Sequence, residues 1–161
     1  MIFQKKRKTA ETELSIILAD DKRTSEINTG VGFLNHMLTL FTFHSGLSII
    51  IEANGDTDVD DHHVTEDIGI VLGQLLLDMI RERKSFQRYG VSYIPMDETL
   101  SRAVVDISGR PYLSFNATLS KEKVGTFDSE LVEEFFRALI INARLTTHID
   151  LLRGGNTHHE I

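Results

Sequence analysis

The sequence predicts a mixed α+β fold built from two similar half-domains, residues 1–90 and 91–161, the second incomplete at its C-terminal end. Three observations carry this expectation. Short stretches that alternate apolar and polar residues read as strands, and longer ones repeat apolar residues at helical spacing. The order helix, strand, loop, His-His, helix occurs twice, around His62-His63 and around His158-His159. Laying residues 33–38 on residues 131–136 makes the two His-His pairs nearly coincide after a gap of two residues. One duplication of this size is not a solenoid, which needs more and shorter repeats.

Bulk properties narrow the function. A chain of 161 residues suits one domain, or two half-domains sharing a core. No apolar run is long enough to span a membrane. The basic start, Lys5-Lys6-Arg7, has no apolar stretch after it, so no signal peptide is expected. Cysteine is absent, which excludes disulfides and thiolate metal sites. Any metal must use histidine and carboxylate ligands, and the composition fits a cytoplasmic protein. A net charge of -7 without a basic stripe argues against nucleic-acid binding. A few local arginines can still hold a phosphorylated substrate.

Taken in order, residues 2–8 and 12–18 read as strands, and the polar run 19–29, with Asp20-Asp21-Lys22-Arg23, as a turn or hairpin. Phe33, Met37 and Leu40 or Phe41 recur at helical spacing, predicting a helix over about 31–45 that Ser45-Gly46 stops. Residues 47–53 read as a buried strand and 54–61 as a loop, with Asp61 as N-cap of the next helix. That helix runs over about 62–84, its apolar face formed by Ile68, Val71, Leu72, Leu75, Leu76, Met79 and Ile80. Basic residues crowd its last turns, as the helix dipole favours. Residues 86–90 connect to the second half. There, strands are expected at 100–107, 112–119 and 146–152, a helix at 130–145, and a further helix opening at His158-His159.

The chain has 7 histidines, and the two pairs use four of them. Neighbouring residues on a helix point about 100° apart, so His62 and His63 serve two different ions more readily than one. Glu66 follows them at helical spacing and can join either. His158 and His159 repeat the arrangement. His36 precedes the first pair by one helix and one strand, and its repeat partner is Glu134, a carboxylate able to replace imidazole at a hard or borderline ion such as Mn²⁺. A lone histidine is usually a hydrogen-bonded surface or core residue, and His44 and His148 read that way as readily as functionally. Asp60, Asp61 and Asp67 read as capping and solvated residues. Arg88 and Arg110 read as surface residues of connecting turns, and Asp97-Glu98 equally as a turn or a catalytic pair.

Four motifs, residues 32–38, 61–68, 106–112 and 156–159, together with Thr9-Ala10-Glu11-Thr12, resemble imidazoleglycerol-phosphate dehydratase in order and spacing. The resemblance implies two α/β halves like domain 2 of ribosomal protein S5, each a four-stranded sheet with helices on one face. It implies dehydration of imidazole glycerol phosphate to imidazole acetol phosphate in histidine biosynthesis, with two Mn²⁺ ions per subunit. Carried over by motif, one ion takes His36, His63, Glu66 and His159. The other takes His62, His158, position 134 and a further glutamate. Ligands of one ion come from different subunits, so trimers and a 24-subunit particle are expected. The family commonly has histidine at position 134. It also has, just past the last residue here, a glutamate, a helix and a Ser-Ser-Lys segment that helps hold the phosphate. The second half-site is therefore where disorder or missing metal is expected, and two outcomes stay open for this chain: a metal-poor, inactive trimer, or an enzyme whose tail lies outside this sequence.

The implied chemistry needs metal because no carbonyl activates the carbon that loses its proton. An imidazolate bridging two Mn²⁺ ions can expel the C3 hydroxyl, with the metals acting as Lewis acids. Glu11 is the candidate for moving the C2 proton. Arg88 and Arg110 clamp the phosphate, and His36, His44, His62 and His158 also line the substrate. Two rival readings remain: a His/carboxylate metal hydrolase using a metal-bound water, and a non-catalytic assembly stapled by metal.

Overall fold

The computed structural model describes residues 1–21 and 24–161; Lys22 and Arg23, within the expected turn, lie outside the described residues. The first half contains β1 (Ile2–Lys8), β2 (Thr12–Ala19), β3 (Glu26–Asn28), α1 (Gly32–Ser45), β4 (Ser48–Gly55) and α2 (His62–Glu82). The second contains β5 (Tyr89–Met96), β6 (Thr99–Asp106), β7 (Tyr112–Asn116), β8 (Lys123–Val124), β9 (Phe127–Asp128), α3 (Leu131–Ala143), β10 (Thr146–Arg153) and α4 (Thr157–Glu160).

The two four-stranded sheets share one topology. Their strand orders are β1-β2-β4-β3 and β5-β6-β10-β7. In each, the last strand of the order runs parallel to its neighbour and the other pairs are antiparallel. The duplication is therefore α1 with α3 and α2 with α4. The β8–β9 hairpin interrupts only the second copy.

Burial explains why α2 is the central element. Leu14, Ile16 and Leu18 of β2 and Ile49 and Ile51 of β4 lie buried in one cluster with Val64, Ile68, Val71, Leu72 and Leu75 of α2. Fully burying each such side chain is worth about 1.5–3 kcal/mol. On its other side α2 meets α3 almost backbone to backbone. A Cβ on Gly69 would lie 2.8 Å from the Phe135 carbonyl oxygen, and one on Gly73 only 2.4 Å from that of Leu139. Both helices advance in the same direction along this seam, so they are parallel.

The helix starts meet at one end of the molecule. Phe33 of α1 stacks on buried Phe127 at 5.4 Å and on His158 of α4 at 5.6 Å. Asp128, just before α3, is close enough to Asp61, just before α2, to repel it electrostatically. Convergent helix N-termini gather positive dipole ends, and Glu133, Glu134 and Glu160 occupy first turns there.

Several sequence expectations need correction. Tyr89 and Gly90 begin β5 rather than ending a connection; β5 is an edge strand exposed along its whole length, so burial imposes no polar–apolar alternation. Glu26–Asn28 forms β3 inside the expected turn. The β7 strand stops at Asn116, where its pairing with β10 ends, and not at 119. Asp61 occupies the N-cap of α2 without a side-chain bond; Asp60 Oδ1 accepts from the His62 N–H instead, at 2.9 Å. Asp67 is buried, not solvated, and accepts from Arg7 Nε at 2.7 Å and from the Thr12 hydroxyl. The last His pair is ordered as the turn of α4. Among the described residues no helix is long and apolar enough to cross a membrane.

Candidate metal centre

Each half presents its His pair on the first turn of a helix. The end of β4 is pressed onto α2: a Cβ on Gly55 would fall 2.2 Å from Val64 Cγ2. This contact carries the next residue, Asp56, to His63, whose Nδ1 lies 2.8 Å from Asp56 Oδ2. The other Asp56 oxygen is buried without a hydrogen-bond partner. The Asp56 hydrogen bond raises the His63 pKa above the usual imidazole value, and the charges of Asp56, Glu11 and Asp60 add to it. Glu11, exposed in the β1–β2 turn, lies near enough for its charge to act on His63. His62 Nε2 lies 3.6 Å from Glu66 Oε2, one turn on.

In the second half Asn156 caps α4, its Oδ1 accepting from the backbone N–H groups of His158 and His159. The His158 ring packs 5.4 Å from the His36 ring, joining α4 to α1. His159 Nδ1 lies 3.2 Å from both oxygens of Glu98. Glu98 sits in the β5–β6 turn, where Asp97 adopts φ 50. Its own backbone N–H and the His159 bond together hold the Glu98 carboxyl below its usual value. Buried Glu160 closes the β10–α4 loop, accepting from the Ser120 and Gly155 backbone N–H groups, both at 2.8 Å, and from the Ser120 hydroxyl. Burial pushes the Glu160 carboxyl up, but these hydrogen bonds outweigh it and leave it below its usual value. A side chain on Gly154 would collide with that carboxylate, 2.4 Å from Oε1.

The expected residues fall into separate groups. Asp97, Glu98 and His159 are the only three His or carboxylate side chains, among the described residues, whose ligand atoms all lie within 4.8 Å of one another. Neither expected four-ligand set is assembled within one chain. His36 and His158, expected on different ions, are neighbours. Glu134 lies in the first turn of α3, half-buried beside Phe135. His44 is exposed at the far end of α1, edge-on to Phe43, eight residues or about 12 Å from His36. Arg88 binds Asp106 through Nε at 2.6 Å and Nη2 at 3.1 Å and lies over the Tyr89 ring. Arg110 is exposed in the turn between β6 and β7, and its charge helps hold Asp106 below its usual value after the larger effect of the Arg88 bond. Both arginines lie towards the C-terminal end of α3, where Arg144 donates to the Gly109 carbonyl. That is about 20 Å along the helix from the gathered N-termini.

Asp56 is not among the residues the sequence singles out, and Glu98 reads there equally as a turn residue or a catalytic one. Asp56 reaches His63 around a loop, and Glu98 reaches His159 across 61 residues. Neither spacing carries a periodic signal. Imidazole and carboxylate donors with no thiolate suit a divalent metal ion, and the exposed or half-buried rings leave nitrogen atoms to offer it.

A sequence model of the imidazoleglycerol-phosphate dehydratase family matches residues 29–161. A curated protein of that name from Staphylococcus saprophyticus is 99% identical over 161 residues, spanning 100% of this chain and 84% of its own length. One from Staphylococcus aureus strain RF122 is 81% identical with the same coverage of both chains. The crystal structure of the Staphylococcus aureus N315 enzyme superposes with a TM-score of 0.92 at 76% identity, covering 99% of this chain and 89% of that one. The Pyrococcus furiosus structure gives a TM-score of 0.84 at 36% identity, covering 97% of this chain and 84% of that one.

Proposed function

The chain belongs to the imidazoleglycerol-phosphate dehydratase family, and from that premise we propose that its two His-His pairs hold the manganese with which it dehydrates its substrate. The enzyme is a hydro-lyase of histidine biosynthesis acting on a small phosphate ester. The observation that carries the manganese reading is the contact between His36 and His158. It brings histidines of both halves to the end where all four helices begin.

In this reading His36, His63, Glu66 and His159 hold one ion, and His62, His158 and Glu134 belong to the other. Manganese held there would supply Lewis acidity and a template for the imidazole ring of the substrate. The protein's own groups do the rest. Glu11, in the β1–β2 turn within electrostatic range of His63, moves the C2 proton. Arg88 and Arg110 take the phosphate through guanidinium N–H groups. Asp106 already holds one edge of Arg88, which orients the guanidinium before the phosphate arrives. The distance between the arginines and the His pairs along one chain supports active sites shared between subunits, hence the trimers and the 24-subunit particle. His44, exposed on α1, contributes to such a shared pocket. The half-domain boundary lies near residue 90, and a metabolic enzyme of this kind belongs in the cytoplasm.

Turnover of imidazole glycerol phosphate, measured with and without Mn²⁺, tests the reading. Manganese-dependent formation of imidazole acetol phosphate is expected. Equal turnover in metal-free protein would overturn the metal role. Ester or amide hydrolysis without an imidazole requirement would favour a metal hydrolase, and metal-driven assembly without turnover a structural role.

A further inference from the structure

The second histidine of each pair is held by a carboxylate at the same ring atom. His63 Nδ1 meets Asp56 Oδ2 at 2.8 Å, and His159 Nδ1 meets both Glu98 oxygens at 3.2 Å. The two first histidines are treated differently. His62 approaches Glu66 through Nε2 at 3.6 Å, and His158 spends its ring on Phe33 and His36.

Simple duplication does not explain the match. Asp56 lies in the loop after β4, whereas Glu98 lies in the hairpin between β5 and β6. The repeat partner of the Asp56 loop is the short loop after β10, where Gly154 and Gly155 have no side chain and Asn156 spends its own on the backbone of His158 and His159. Instead Gly155 backs onto Glu98: a Cβ there would fall 3.1 Å from Glu98 Cγ. Two unrelated carboxylates from different parts of the repeat thus reach the same atom of corresponding histidines.

An ionised carboxylate only accepts hydrogen bonds, so each Nδ1 must carry the proton. A neutral imidazole protonated at Nδ1 keeps its lone pair on Nε2. Carboxylates placed this way fix the tautomer and ring orientation of metal-binding histidines. We propose that Asp56 and Glu98 are the positioning residues of the metal centre, presenting Nε2 of His63 and of His159 to one manganese ion. This rests on the manganese reading above for the identity of the ion, but not for the tautomer.

Two measurements test it separately. Neutron diffraction from metal-free crystals at pD about 9, above the ordinary imidazole range, reads the ring proton directly. Wild-type protein is expected to carry it on Nδ1 of both His63 and His159. A proton on Nε2 of either would overturn the proposal whatever the metal does. Titration of Mn²⁺, followed through the electron paramagnetic resonance of the free ion, gives affinity and stoichiometry. Asp56→Ala and Glu98→Ala are expected to weaken one site about 10–100-fold with stoichiometry kept at saturation. Asp56→Asn and Glu98→Gln retain an acceptor oxygen and are expected to recover part of that loss. They also serve if the alanine variants fail to fold. Unchanged affinity in the alanine variants, or affinity in the amide variants no better than in them, would refute positioning. Complete loss of one ion in both Glu98→Ala and Glu98→Gln would make Glu98 a ligand, with Asp97 beside it. Wild-type protein that binds no Mn²⁺ would sink the manganese reading and with it the presentation of Nε2 to that ion.

Discussion

Replacing Gly73 with alanine tests the seam that fixes the first His pair relative to the second half. A β-carbon there would lie 2.4 Å from the Leu139 carbonyl oxygen, 2.9 Å from Asn142 Cβ and 3.1 Å from the Ala143 nitrogen. Two of these are backbone atoms of α3, so no side chain can simply swing away. The helices must separate, and overpacking of this kind costs about 1–3 kcal/mol. Alanine's better helix propensity returns about 1 kcal/mol. With contacts this short the cost falls in the upper part of its range, leaving about 1–2 kcal/mol of destabilisation. For a chain of this size each kcal/mol moves the melting temperature by about 2–4 °C, so a drop of about 2–8 °C is expected. Thermal unfolding followed by circular dichroism measures it. Gly32→Ala on α1 is the control, because nothing lies within 4 Å of the place its methyl group would take. A Gly73→Ala protein that melts at or above wild type would refute the backbone-to-backbone seam.

Asp67→Ala should lower the urea midpoint by an amount worth about 1–3 kcal/mol, since it strands the buried Thr12 hydroxyl and removes the partner of half-exposed Arg7; an unchanged midpoint would mean the pair is not formed. Glu160 is held below its ordinary pKa, so its contribution is present above the glutamate range and is lost as pH falls through it and below. Wild-type stability should therefore fall more steeply than that of Glu160→Gln between about pH 5 and pH 3, and parallel curves would remove this role. Glu11→Gln is expected to lose turnover while keeping its manganese, as metal analysis and a steady-state assay would report together. Arg110→Ala should raise KM for the phosphorylated substrate, and an unaltered KM would move the phosphate elsewhere.

What could be read from the sequence follows what burial controls. The α2 helix was legible because Ile68, Val71, Leu72 and Leu75 are all buried against one sheet. The His pairs were legible because adjacency recurs at matching places in a repeat. By contrast, β5 is exposed on both faces, so its residues carry no alternation to read. The three-residue β3 and the β8–β9 hairpin are too short for a periodic signal. Asp67 looked solvated because its partner Arg7 lies 60 residues away on β1. Asp56 and Glu98 escaped for the same reason: a hydrogen bond made across a loop or between distant elements leaves no trace in local spacing.

The inward face of β1 has a consequence for how the chain finds its fold. A duplicated protein can go astray by lending a strand of one half to the sheet of the other, since both sheets have the same order. Lys5 and Arg7 project from β1 to Asp78 and Asp67 of α2. In β5, by its register with β6, the residues on the helix side are Ser92, Ile94 and Met96. A β5 strand docked at the first sheet's edge would leave both α2 carboxylates without a cation, Asp67 among them buried, at a cost of several kcal/mol. Lys5 and Arg7 therefore favour β1 over β5 at the edge of the first sheet.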